Sequence, residues 1–143
     1  MMEPGEELER VRSASLAARP LTTDLLSQAA ADPALALASA REVMLIVLQN
    51  SDPAWPALDR WRELLPPWFV GLCSDDAQTR DCVIDVWSLR AWIYWFRPDL
   101  RRWRWWGAEA APGEIRLAVL PQSQTYLKGA AQWLLKASAQ REA

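Results

Sequence analysis

Asp75, Asp76, Asp81 and Asp85 form the acidic cluster nearest an apolar helical segment, and Asp81 and Asp85 are spaced i, i+4. On one helix face, two carboxylates at that spacing can hold a hard cation or share a proton in acid/base chemistry, which would make the chain a carboxylate metal enzyme. The plainer account is that acids in the first turns of a helix complement its dipole and face water. Cys73 and Cys82 offer a second chemistry. A thiol at a helix start can be redox-active through a lowered pKa, and Cys73 lies just before one, yet cysteines beside Leu72 and Val83 also serve as small buried hydrophobes.

The chain has no histidine, so Ser-His-Asp, Cys-His and HExxH chemistry is excluded. With two cysteines it has neither a disulfide framework nor a four-cysteine zinc site. No cofactor loop or metal site is expected, and no staple is needed, because 143 residues bury roughly two thirds of their unfolded surface.

The third candidate is RRWRWW, Arg101 to Trp106. With Arg97 it gathers four arginines, opposed locally only by Asp99. Such a strip can bind phosphate, dock an acidic protein, or protect a strand edge. Nucleic acid is disfavoured by the net charge of −2 and the shortness of the patch. Arg97, Arg101, Arg102, Arg104 and Trp106 are therefore the candidate partner-binding residues.

Prolines punctuate the elements that must position these groups. Residues 5–18 read as a weak polar helix that frays or packs loosely. Thr22 or Thr23 caps a short helix through Ala30, and Asp32-Pro33 opens the helix ALALASAREVMLIVLQ, whose second half is apolar nearly all round and so buried. Pro53 opens a short helix with Trp55, Leu58, Trp61, Leu64 and Leu65 at helical spacing, and Trp68, Phe69 and Val70 follow as an apolar turn. A capping box, Asp75 with Gln78, starts a helix that runs to about Phe96 and carries Trp92 and Trp95 as core residues.

After Pro98 the period changes to two. Trp103 and Trp105 share the core face with Ile115, Leu117 and Val119, leaving Arg102, Arg104 and Trp106 on the other. Ser123 caps a last helix to about Ala139 with Leu127, Ala130, Ala131, Leu134 and Leu135 inward and Lys128, Gln132 and Lys136 outward. The whole is an α+β, mostly helical single domain over 1–143. Its one antiparallel β-hairpin, about 101–106 and 114–120, packs on a central tryptophan-rich helix.

The N-terminus MMEPGEELERVR has no apolar run, and VMLIVL and AWIYWF fall far short of the roughly 20 residues that span a bilayer. No membrane partner and a cytoplasmic location are expected. Fourteen arginines against two lysines, with abundant alanine and ten tryptophans, fit a GC-rich bacterial genome. The function expected is a non-enzymatic protein-interaction module, an immunity-type inhibitor or an adaptor, whose protein partner is acidic. The alternative is an aromatic pocket holding an anionic or aromatic metabolite through Arg90 or Arg97.

Overall fold

The computed structural model describes residues 2–74 and 86–142. Among the described residues nine elements follow one another: α1 (Pro4–Ser13), β1 (Asp24–Ala29), α2 (Pro33–Gln49), α3 (Leu58–Leu64), α4 (Pro67–Leu72), α5 (Leu89–Trp95), β2 (Trp103–Ala111), β3 (Glu114–Pro121) and α6 (Gly129–Gln140). The protein is α+β, and its three strands form one antiparallel sheet in the order β1-β3-β2.

The hairpin lies where the period-two pattern puts it, turning at Gly113, whose φ of +74° suits a residue without a side chain. Trp103, Trp105, Ile115, Leu117 and Val119 are all buried. Between Trp105 and Gly107 the register shifts, because Trp106 forms a β-bulge. Inward positions are therefore odd-numbered up to Trp105 and pass to Ala108, which pairs with buried Leu117.

A third strand corrects the helix expected through Ala30. Residues 24–29 pair antiparallel with β3, Leu26 against Leu117 and Gln28 against Ile115. A two-stranded hairpin is marginal by itself, and this long-range pairing overrides the helical preference of TDLLSQAA. Leu26 points inward while Leu25, Ser27 and Ala29 are exposed.

Asp32 caps α2 by accepting from the Leu35 amide at 3.1 Å. The helix buries Ala36, Ala40, Val43, Met44 and Val47 at helical spacing, and packs on β2, β3 and α6. The short helix expected from Pro53 begins at Leu58, and the apolar turn Trp68 to Val70 is itself helical within α4.

The capping box at Asp75 and Gln78, and with it Asp76, Asp81, Cys82 and Asp85, lies outside the described residues. Within them, the tryptophan-rich helix is the seven-residue α5, capped by Ser88 Oγ accepting from the Ala91 amide at 3.1 Å. Trp92 is fully buried and its Nε1 donates to the Ala130 carbonyl at 2.9 Å, joining α5 to α6. Trp95 is only half-buried, at the border of the core. An aromatic spine runs from Phe69 to Trp92 (4.8 Å), Phe96 (4.3 Å from Trp92, stacked) and Trp103 (5.6 Å from Phe96, edge-on).

Helix α6 starts at Gly129, later than Ser123 suggests. The Ser123 hydroxyl instead bonds the Thr125 carbonyl in a local turn, and the Trp87 ring lies 2.6 Å from where a Cβ on residue 129 would sit. Leu127 is consequently outside the helix and 57% exposed, whereas Ala130, Ala131, Leu134 and Leu135 are buried as their spacing requires.

Candidate functional site: arginines around the tryptophan strand

Helix α1 covers the outer edge of β2. Glu7 and Val11, one turn apart, are both buried. The Glu7 carboxylate accepts from Arg101 Nη1 at 2.7 Å and Nη2 at 2.9 Å, and from the Trp105 amide at 2.8 Å. Arg10 Nε donates to the Trp106 carbonyl, with its guanidinium 4.0 Å from the Trp106 ring centroid. Beyond the helix, the Ala14 carbonyl accepts from the Ala108 amide at 3.0 Å. The edge of β2, otherwise open to pairing with another strand, is capped by this chain's own N-terminal segment.

This arrangement divides the five sequence-derived candidates into two groups. Arg101 is buried, its guanidinium also 5.0 Å from the Trp103 ring centroid. Arg104 is four-fifths buried and held only by long contacts, 3.2 and 3.3 Å to the carbonyls of Trp103 and Arg101 and 3.7 Å to Glu7. Burial, then the charge of Arg101, lowers its pKa, and Glu7 opposes them. Trp106 is half-buried under Arg10. The strand face expected to display Arg104 and Trp106 is thus largely occupied.

Arg97 and Arg102 are exposed. They flank the outer face of α5, where Tyr94 is half-exposed and its ring stands edge-on to Trp95 at 5.2 Å. Tyr94 lines an open groove of about 500 Å3 together with Trp55, Asp59, Ile93, Arg90 and Arg97. Trp95 lines a second groove of about 260 Å3 with Leu100, Arg102, Tyr126 and Leu127. Among the described residues Arg97 makes only a surface contact with Asp99 at 3.5 Å, and Arg102 pairs with no acid.

Cys73 is a free thiol whose Sγ lies 3.4 Å from the Phe69 carbonyl oxygen. Burial pushes its pKa up to about 11, against the opposing effects of Trp133 and the Arg62 charge. An activated redox thiol requires a shift the other way.

Sequence reasoning missed Glu7 and Arg10. The usable signal was the helical spacing of Glu7 and Val11, which puts an acid on an inward stripe, together with Gly107 in the middle of a tryptophan strand, a mark of close backbone approach.

Among the described residues no helix is long and apolar enough to cross a membrane. No protein-family model, no curated protein and no solved structure matches the chain.

Proposed function

We propose that the chain is a protein-interaction module of the inhibitor or adaptor kind, docking an acidic partner on the outer face of α5. The observation that carries this is the Tyr94–Trp95 ridge, with a groove on each side that presents an exposed arginine. Tyrosine, tryptophan and arginine are the residues that dominate binding energy at interfaces, and here Tyr94 and Trp95 of α5 stand beside Arg97 and Arg102 of the segment that follows it. Arg97 and Arg102 supply the charge complementarity that selects acidic side chains on a partner. Compared with the strand face of RRWRWW, the docking surface moves by one element: Arg97 and Arg102 belong to it, while Arg101 is paired with Glu7, Trp106 lies under Arg10 and Arg104 is largely buried.

The test is a photo-crosslinking amino acid placed at position 94 in the cells that make the protein. A single acidic protein should be captured there and not from position 28 on the far sheet edge, and Arg97→Glu with Arg102→Glu should abolish capture. Equal capture from both positions, or capture that survives the charge reversal, would overturn the assignment.

A second reading is favoured by Arg90 and Arg97 lining one aromatic groove: a small anionic or aromatic ligand seats there instead. It requires that such a ligand raise the melting temperature of the isolated protein, and that Arg97→Glu remove the effect.

A further inference from the structure

The two outer edges of the sheet, β2 and β1, are treated differently by the chain. Along β2 the Trp105 and Ala108 amides and the Trp106 carbonyl are all taken by the N-terminal segment. Along β1 the Ala30 amide donates to the Gly113 carbonyl at 3.0 Å, and the same register pairs Gln28 with Ile115, Leu26 with Leu117 and Asp24 with Val119. In an antiparallel ladder alternate residues turn their backbone groups toward the partner strand. The even-numbered residues therefore bond β3, and Leu25, Ser27 and Ala29 turn their amides and carbonyls outward. All three are exposed. Among the described residues no backbone group meets them, and only the Ala29 carbonyl has a side-chain contact, from Gln28 Nε2 at 3.2 Å.

An unpaired edge is a template for another strand, and folded chains blunt it with lysine, proline, a bulge or a covering segment. β1 is DLLSQA, six residues in unbroken register, and among the described residues it has none of these. Its makeup instead suits a second copy of itself. Set antiparallel about Ser27, two β1 strands bring Ser27 against Ser27 and Leu25 against Ala29, and each of these outward-facing pairs exchanges two hydrogen bonds. Ser27 and Ala29 are small enough to let the strands close on each other. Asp24, the only charge in the strand, meets Ala30 of the second copy, and the two carboxylates stand at opposite ends of the ladder. No like charges within the strands are opposed, and Leu25, 42% exposed in the single chain, gains an apolar neighbour.

We propose that the protein forms a two-fold dimer by pairing β1 with β1 of a second copy, joining two three-stranded sheets into one continuous sheet. Closure at two copies follows from the difference between the edges. The N-terminal segment caps β2 in both copies, so the joined sheet offers no further strand edge among the described residues on which a filament could grow. The interface is separate from the α5 face, and neither requires the other.

The test is sedimentation equilibrium of the whole chain over a wide concentration range. Wild type should pass from monomer to dimer and stop there. Ser27→Pro removes an amide that β3 does not use, so it should abolish the dimer while melting together with wild type at concentrations where both are monomeric. Ser27→Lys sets two lysines face to face in a row already flanked by Arg116, the β3 neighbour of residue 27; it should also abolish the dimer, and it serves if the proline variant unfolds. Mixing Ser27→Lys with Ser27→Glu should restore a mixed dimer, because opposite charges then meet across the two-fold axis. A photo-crosslinker at position 28 should capture a second copy of the chain and not the acidic partner of the α5 face. A chain that stays monomeric, association that continues past two copies or persists in both variants, or a lysine and glutamate mixture that stays apart would overturn the pairing. Capture of a different protein from position 28 would overturn it in favour of a foreign strand on the same edge.

Discussion

Glu7 and Arg101 stand 94 positions apart in the chain and meet as a two-pronged ion pair, 2.7 and 2.9 Å long, with side chains 2% and 5% exposed. The same carboxylate takes the Trp105 amide at 2.8 Å. One acid on the first helix thus fixes both the arginine that precedes the tryptophan strand and the strand's own backbone.

Removing one partner leaves a buried charge without compensation. Glu7→Gln and Arg101→Met should each destabilise the protein by about 3 to 5 kcal/mol, measured by urea unfolding. Replacing both, with Glu7→Leu and Arg101→Met, removes the charge problem but strands the Trp105 amide, which costs about 1 to 3 kcal/mol. The double variant should therefore fall between wild type and the single variants. Single losses below about 1 kcal/mol would mean that α1 is not docked through this pair.

Gly107 carries the second attachment of the N-terminal segment. A Cβ there would lie 2.1 Å from the Ser15 carbonyl oxygen and 3.0 Å from its carbon, and backbone atoms cannot swing aside as a flexible side chain does. Gly107→Ala should cost about 1 to 3 kcal/mol and speed hydrogen exchange at the Ala108 amide, which bonds the Ala14 carbonyl. Gly5→Ala, with open space around it, should change stability by no more than about 0.5 kcal/mol. Equal effects at the two glycines would contradict the close approach.

How far the fold is legible in the sequence depends on how local its causes are. The hairpin, the cap at Asp32 and the inward face of α6 follow from period, capping chemistry and turn residues, all within a few positions of one another. β1 was not legible, because TDLLSQAA becomes a strand only once β3 offers an edge about ninety residues later. The arginine cluster was found by composition, but composition does not say which arginine has a partner. Arg101 and Arg102 are neighbours; one is buried on Glu7 and the other is exposed, and the acid that separates their roles lies at the opposite end of the chain.

Cys73 should be a slow nucleophile. With its pKa pushed to about 11 from 9.0, the folded protein at neutral pH holds roughly a hundredfold less thiolate than an ordinary cysteine. In a Cys82→Ser background, alkylation should proceed with that deficit and accelerate fully on unfolding. The linked stability has a definite sign: a raised acid pKa stabilises the fold below about pH 9, and that contribution is lost as pH rises toward 11. The stability of wild type relative to Cys73→Ala should thus decline over that interval, and a flat difference would argue against the buried thiol.

Trp92 and Tyr94 separate the structural and functional faces of α5. Trp92 is fully buried, packed between Phe69 and Phe96, and donates to the Ala130 carbonyl. Trp92→Ala removes that hydrogen bond and opens a cavity in the aromatic spine, so it should cost about 3 to 5 kcal/mol. Tyr94, two positions on, is half-exposed and meets Trp95 only edge-on, so Tyr94→Ala should shift stability by about 0.5 kcal/mol or less. If the outer face docks a partner, the order of effects reverses for binding. Tyr94→Ala removes a central aromatic anchor and should weaken the captured complex by about 2 kcal/mol or more at wild-type stability. A Tyr94→Ala protein that is folded and binds as wild type would remove α5 from the interface, whereas one that unfolds would place the ring in the core and the ridge with it.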